Sequence, residues 1–126
     1  MENIDKFIDD NLALLPTEAI TQPRVAEQRS AQLLLAVARL HQEKRNLLNA
    51  KMKATSSYTV EIHSGMSAVD AKTITEKKNT AEASKPVLMA RETLEELDNN
   101  ISYLKGIIDV LNNGSVLLRQ MSRGEI

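Results

Sequence analysis

Residues 87–118 read VLMARETLEELDNNISYLKGIIDVLNNGSVLL. Val87, Leu94, Ile101, Ile108 and Ser115 recur every seven residues. Ala90, Leu97, Leu104, Leu111 and Leu118 fall between them. The spacing alternates three and four, which places one narrow apolar stripe along an α-helix and demands that it be covered. Ile107 and Val110 widen that stripe. A wider stripe serves a helix of the same chain on one side and a neighbouring copy on the other. The seam residues Val87, Leu94, Leu97, Ile101, Leu104, Ile108, Leu111 and Leu118 are therefore the expected self-association surface. Lysine in place of Leu97 and Leu104 is expected to dissolve it.

Outward from the seam, the rest of the chain also reads as helix. Its 126 residues contain four Gly, three Pro, no Trp and no Cys. The aromatics are Phe7, Tyr58 and Tyr103. Aromatic side chains carry much of a compact core, so their scarcity favours a thin helical architecture built on aliphatic seams. The predicted fold class is all-α: a long antiparallel helical hairpin with a short N-terminal helix and a C-terminal coiled-coil-like oligomerisation helix. It forms a single helical domain over 1–126.

Residues 1–15 hold the short helix, with Ile4, Phe7, Ile8, Leu12 and Leu15 on one face up to Pro16. Residues 16–23, bounded by Pro16 and Pro23, are a linker. Residues 24–63 lack Pro and Gly and form a long basic helix with Leu33, Val37, Leu40 and Leu47 on its stripe. Thr55, Ser56, Ser57, Thr59 and Val60 are weak helix formers, so this end is expected to fray or to alternate as a strand. Residues 64–85 are a polar break opened by Ser64-Gly65. Within it, Ser67-x-x-Asp70 suits the cap of a short helix over Ala68 to Lys78. Ser84 caps the oligomerisation helix, 86–121, with Pro86 in its first turn. Asn113-Gly114 is expected to interrupt that helix.

Net charge is −1, but the charges are unevenly placed. Residues 1–23 carry one lysine against five acids, and 24–63 carry seven Lys/Arg against three acids. Residues 64–86 carry four against three, and 87–126 carry four against six. A basic helix between acidic segments points to a polyanion partner or to pairing inside the chain. Arg39, Lys44, Arg45, Lys51 and Lys53 are the candidate phosphate contacts, with Tyr58 the one aromatic near them. The competing use of these cations is as ion-pair partners for Glu92, Glu95, Glu96 and Asp98.

Catalytic chemistry finds no support. His41-x-Glu43 and Glu61-x-His63 hold their side chains about 200° apart on a helix, which suits no metal site. No nucleophile with its base, and no Gly-rich phosphate loop, can be placed. The chain reads as non-enzymatic, with no cofactor. No apolar run approaches the roughly 20 residues of a bilayer span. The start, MENIDKFIDDN, lacks the basic and apolar regions of a secretory signal, so a cytoplasmic location and no membrane partner are expected.

Two segments, LHQEKRNLLNAKMKATSSYTVEIHSG at 40–65 and LEELDNNISYLKGIIDVLNNGSVLLRQM at 94–121, carry a resemblance. In layout the chain resembles the UvsY-type recombination mediators of T-even-like bacteriophages. The resemblance implies a ring-like homo-oligomer that binds single-stranded DNA and helps load a recombinase onto strands covered by the single-strand binding protein. Host cytoplasm would be its location. It also implies that Lys51 and Lys53 touch DNA. The family's tyrosine pair corresponds here to Ile62-His63. The other class of function the residues allow is a coiled-coil scaffold or chaperone-like adaptor for a protein partner.

Overall fold

The computed structural model describes residues 2–17, 22–68, 76, 78–80 and 84–124. Among the described residues, three long helical elements have defined bounds: α1 (Glu2–Leu12), α2 (Pro23–Ala68) and α3 (Lys85–Ser122). Among the described residues there is no strand. The chain divides into two compact units. Unit 1 is Met1–Lys44 with Tyr103–Ile126, and unit 2 is Arg45–Ser102.

The helix boundaries follow from local chemistry. α1 ends at Leu12, earlier than the expected Leu15, because the chain tightens before Pro16. Leu14 N donates to the Asn11 carbonyl at 3.0 Å and Leu15 N to the Leu12 carbonyl at 3.2 Å. These are i→i+3 turns of the kind that satisfy a helix end. α2 opens on Pro23, where a missing N–H costs nothing. The Gln22 carbonyl accepts from Val25 N and Ala26 N. α3 starts at Lys85, with the Ser84 carbonyl accepting from Leu88 N at 3.0 Å. It ends where Gly124 takes a φ of 71°, the left-handed conformation glycine adopts without steric penalty.

Three expectations are corrected. α2 does not stop at Ser64-Gly65 but runs on to Ala68. Glycine ends a helix in this way when its φ turns positive, and Gly65 does not. The stretch Thr55 to Val60 is helical throughout. Its hydroxyls bond back one turn: Thr55 Oγ1 donates to the Lys51 carbonyl at 2.8 Å, Ser56 Oγ to Met52 at 3.3 Å and Thr59 Oγ1 to Thr55 at 3.1 Å. Such back-bonding lets these residues stay in a helix they would otherwise weaken. Thirdly, α3 passes unbroken through Asn113-Gly114. The short helix expected over Ala68 to Lys78 falls largely outside the described residues, as do linker residues 18–21.

Unit 1 is a three-helix assembly. Ile4 and Ile8 of α1, Ala26, Leu33, Ala36 and Leu40 of α2, and Leu104, Ile108, Leu111 and Leu118 of α3 are its buried aliphatic side chains. Asn11, also buried, donates from Nδ2 to the Phe7 carbonyl at 2.8 Å. At the α2–α3 contact two serines exchange bonds. Ser30 Oγ donates to the Ser115 carbonyl at 2.9 Å, and Ser115 Oγ donates to the Ser30 carbonyl at 3.0 Å. Only small residues let two helix backbones come this close. Gly114 belongs to the same crowded region. A Cβ there would collide with Leu15 Cδ2 and lie 3.5 Å from Leu33 Cδ1 and 3.6 Å from Pro16 Cδ. The glycine that reads as a helix break is instead a point of close packing.

That geometry makes Ser30 a sensitive position. Ser30→Val is expected to destabilise by about 1 to 3 kcal/mol through overpacking. Ser30→Ala removes one hydrogen bond and improves helix propensity, so it should cost less than about 1 kcal/mol. Urea unfolding of the two variants checks the order.

Unit 2 includes the helical segments 45–68 of α2 and 85–102 of α3, and residues 76 and 78–80 are helical as well. Lys51 meets Asp98 at 2.6 Å, and Arg91 Nη2 donates to Tyr58 Oη at 3.5 Å. The two contacts are seven residues apart on each helix and in opposite chain directions, so the segments run antiparallel. Val87 is buried here, while Leu47, Ala54, Ile62, Ala90, Leu94, Leu97 and Ile101 are half-buried.

The seam is thus spent differently in the two units. Leu104, Ile108, Leu111 and Leu118 are covered by α1 and α2 of their own chain, and Val87 is buried too. These five keep at most 5% of their surface exposed, so in this structure they are covered within the chain and do not offer the self-association surface expected of them. Leu94, Leu97 and Ile101 keep part of theirs.

Candidate nucleic-acid interface

From Lys44 to Val60, seventeen residues carry Lys44, Arg45, Lys51 and Lys53 and no acid. All lie on α2. A helix sends successive side chains out at about 100° intervals, so Lys51 and Lys53 diverge by about 200°.

In unit 2 that divergence has a clear result. Lys51 turns to α3 and binds Asp98, with the two side chains 41% and 54% exposed. An ion pair this wet is worth at most about 1 kcal/mol. It nonetheless occupies the ammonium, as the pairing alternative anticipates. The Tyr58 hydroxyl accepts a hydrogen bond from Arg91 Nη2 at 3.5 Å. Lys53 is exposed on the opposite side, near Asn49 and Ser56 in helical register. Arg45 is exposed and has a partner of its own.

In unit 1, Lys44 is half-buried. Arg39 lies over the Phe7 ring, its guanidinium carbon 4.1 Å from the centroid. Such stacking anchors α1 to α2. The same two residues line an open groove of about 500 Å³ with Asp10, Leu14, Gln32 and Leu35. The acid in that lining opposes a second anion. The six residues singled out from the sequence therefore do not share one face. Among the described residues, Lys53 is the one of the six that is exposed and makes no ion pair, hydrogen bond or ring contact.

Exposed apolar side chains are the second feature. In unit 2, Leu48, Met52, Leu88 and Met89 are exposed. In unit 1, Tyr103, Val110 and Leu117 are 46%, 45% and 45% exposed, with Ile107 half-buried among them. These four follow heptad spacing on the outer face of α3, and Gly106 beside them has open space around it. The sequence marks Ile107 and Val110 as a widening of the seam; burial separates them from it as a distinct stripe. Sequence reasoning passed over Arg119 and Arg123, because two arginines near a chain end carry no motif.

Among the described residues no cluster of His, Asp and Glu suits a metal ion, and no helix is long and apolar enough to cross a membrane. Comparison with family models, with curated proteins and with solved structures gave no match.

Proposed function

We propose that this chain is a non-catalytic, homo-oligomeric single-stranded DNA-binding accessory factor that helps load a recombinase. The observation that carries the reading is the acid-free, four-cation stretch from Lys44 to Val60 on one helix. Phosphate contacts of this kind read no base and release counterions. One subunit offers few of them, so the mechanism is avidity. Copies joined as a ring-like assembly present many weak contacts to one strand. The joining surface in this reading is the stripe of Tyr103, Ile107, Val110 and Leu117 in unit 1. The antiparallel pair would be a hairpin, and its C-terminal arm a coiled-coil-like assembly helix. The recombinase and the single-strand binding protein are partners by resemblance to the UvsY-type mediators.

The test is a titration of labelled oligothymidylate across a salt series. Binding should be tight at low salt and fall steeply as salt rises. Lys53→Ala should lower the slope of log affinity against log salt by about 0.7, the value of one single-strand phosphate contact. Lys51→Ala should change it far less, because Asp98 already holds that ammonium. Equal effects of the two substitutions would contradict the assignment of Lys53 as the outward contact, and absence of binding at low salt would remove the reading itself.

A second reading, a scaffold or adaptor for a protein partner, is favoured by Leu48 and Met52, exposed on the same helical stretch as the cations. Salt-insensitive capture of a protein with no affinity for oligonucleotide would select it.

A further inference from the structure

The carboxyl end of α3 carries a cleft that no candidate contact from the sequence occupies. It lies within unit 1, measures about 470 Å³ and is lined by Glu27, Leu34, Arg119, Ser122 and Arg123 among others. That volume falls within the roughly 300–1,000 Å³ typical of small-ligand sites. Arg119 is half-buried in the last turn of the helix. Arg123 follows one turn later, its backbone N–H still donating to the Arg119 carbonyl at 3.2 Å. Gly124 follows in the left-handed conformation, which ends the helix. Arg123 is therefore the last residue held in helical register, and both guanidiniums rise on one face, as side chains four apart do.

The helix dipole accounts for cations in a last turn. It does not account for their state. Glu27 lines the same cleft, yet among the described residues neither arginine meets a carboxylate within ion-pair distance. Ser122 Oγ spends its proton on the Arg119 carbonyl at 2.7 Å, leaving the guanidiniums as the donors that face the cleft. Among the described residues that line the cleft, one carboxylate stands against two guanidiniums, a net positive charge. Leu34, 41% exposed, supplies an apolar wall beside them. Paired planar donors next to an apolar surface suit a phosphodiester flanked by sugar and base.

We propose that Arg119 and Arg123 hold a backbone phosphate of a single strand in this cleft, a contact separate from Lys53. The proposal rests on the DNA-binding reading above and extends it to unit 1. A bare carboxylate ligand would use the arginines but gain nothing from Leu34.

Oligothymidylate binding by the full-length protein tests it. Arg119→Gln with Arg123→Gln should weaken binding roughly 10- to 100-fold at low salt and lower the salt slope by about 1.4, two single-strand contacts. Arg123→Gln alone, at an exposed terminal position that leaves the core intact, should lower the slope by about 0.7. Lysine at both positions should restore the slope, since the charge remains. An unchanged slope in the glutamine variants, with Lys53→Ala still reducing it, would overturn the cleft and leave the DNA reading standing. If the wild-type protein ignores the oligonucleotide, both fall. Displacement of the oligonucleotide by a poly-glutamate peptide, with the peptide needing both arginines and the salt slope of DNA binding not needing them, would assign the cleft to an acidic protein and overturn the proposal.

Discussion

Leu111→Ala is expected to lower the unfolding free energy by about 2 to 5 kcal/mol, the cost of removing a large aliphatic side chain from a packed core. Leu111 has no exposed surface and sits among buried residues of all three helices of unit 1. Domains of this size are stable by only about 5 to 15 kcal/mol in total, so such a loss takes a large share of the margin. Leu104→Ala and Leu118→Ala should behave alike, since both are also wholly buried. Leu97→Ala, at a half-buried position of the same heptad stripe, should cost distinctly less. Chemical denaturation of the four variants measures the contrast. Equal losses at Leu97 and Leu111 would contradict the division of the seam into a covered and a partly covered part.

If copies join as proposed, Val110→Gln combined with Leu117→Gln is expected to reduce the assembly to single chains without unfolding them. Both side chains are nearly half exposed, so the change touches no covered core, and surface substitutions of this kind stay within about 0.5 kcal/mol. Glutamine is neutral and a good helix former, which keeps DNA electrostatics and helix propensity steady. If avidity is the mechanism, loss of assembly should carry away a factor of about 100 or more in oligonucleotide affinity. Light scattering gives the mass and the salt-series titration gives the affinity. A double variant that becomes monomeric and binds DNA as before would refute avidity; one that keeps the wild-type mass would remove this face as the joining surface. Lysine at Leu97 and Leu104, the substitution the heptads alone suggest, is a poorer test. Leu104 has no exposed surface, and a buried ammonium there would unfold unit 1 before it separated any copies.

The basic residues illustrate why a site is harder to read than a helix. Five cations within fifteen positions of α2 look like one surface in the linear chain. On the helix they scatter, and each then meets what lies beside it: Arg39 the Phe7 ring, Lys51 the Asp98 carboxylate, Lys53 solvent. The alternative of pairing across α2 and α3 is realised at Lys51 and Asp98. Arg119 and Arg123 show the converse. They are unremarkable in the chain and become a cleft only when the far end of α3 lies beside the start of α2.

Local chemistry alone determined the helices and their beginnings. The seven-residue period, Pro23 at a first turn and Ser84 before Lys85-Pro86 act over a few residues and need no partner. Tertiary structure decided which apolar stripe is covered. Leu104, Ile108, Leu111 and Leu118 are closed off in unit 1, where α1 packs as a third helix, whereas Leu94, Leu97 and Ile101 of unit 2 are only half-buried. It also decided the meaning of Gly114. A glycine tolerates either a turn or a close neighbour, and only the approach of Leu15, Leu33 and Pro16 selects the second. Periodicity states that a face must be buried; what buries it depends on residues far away in the chain.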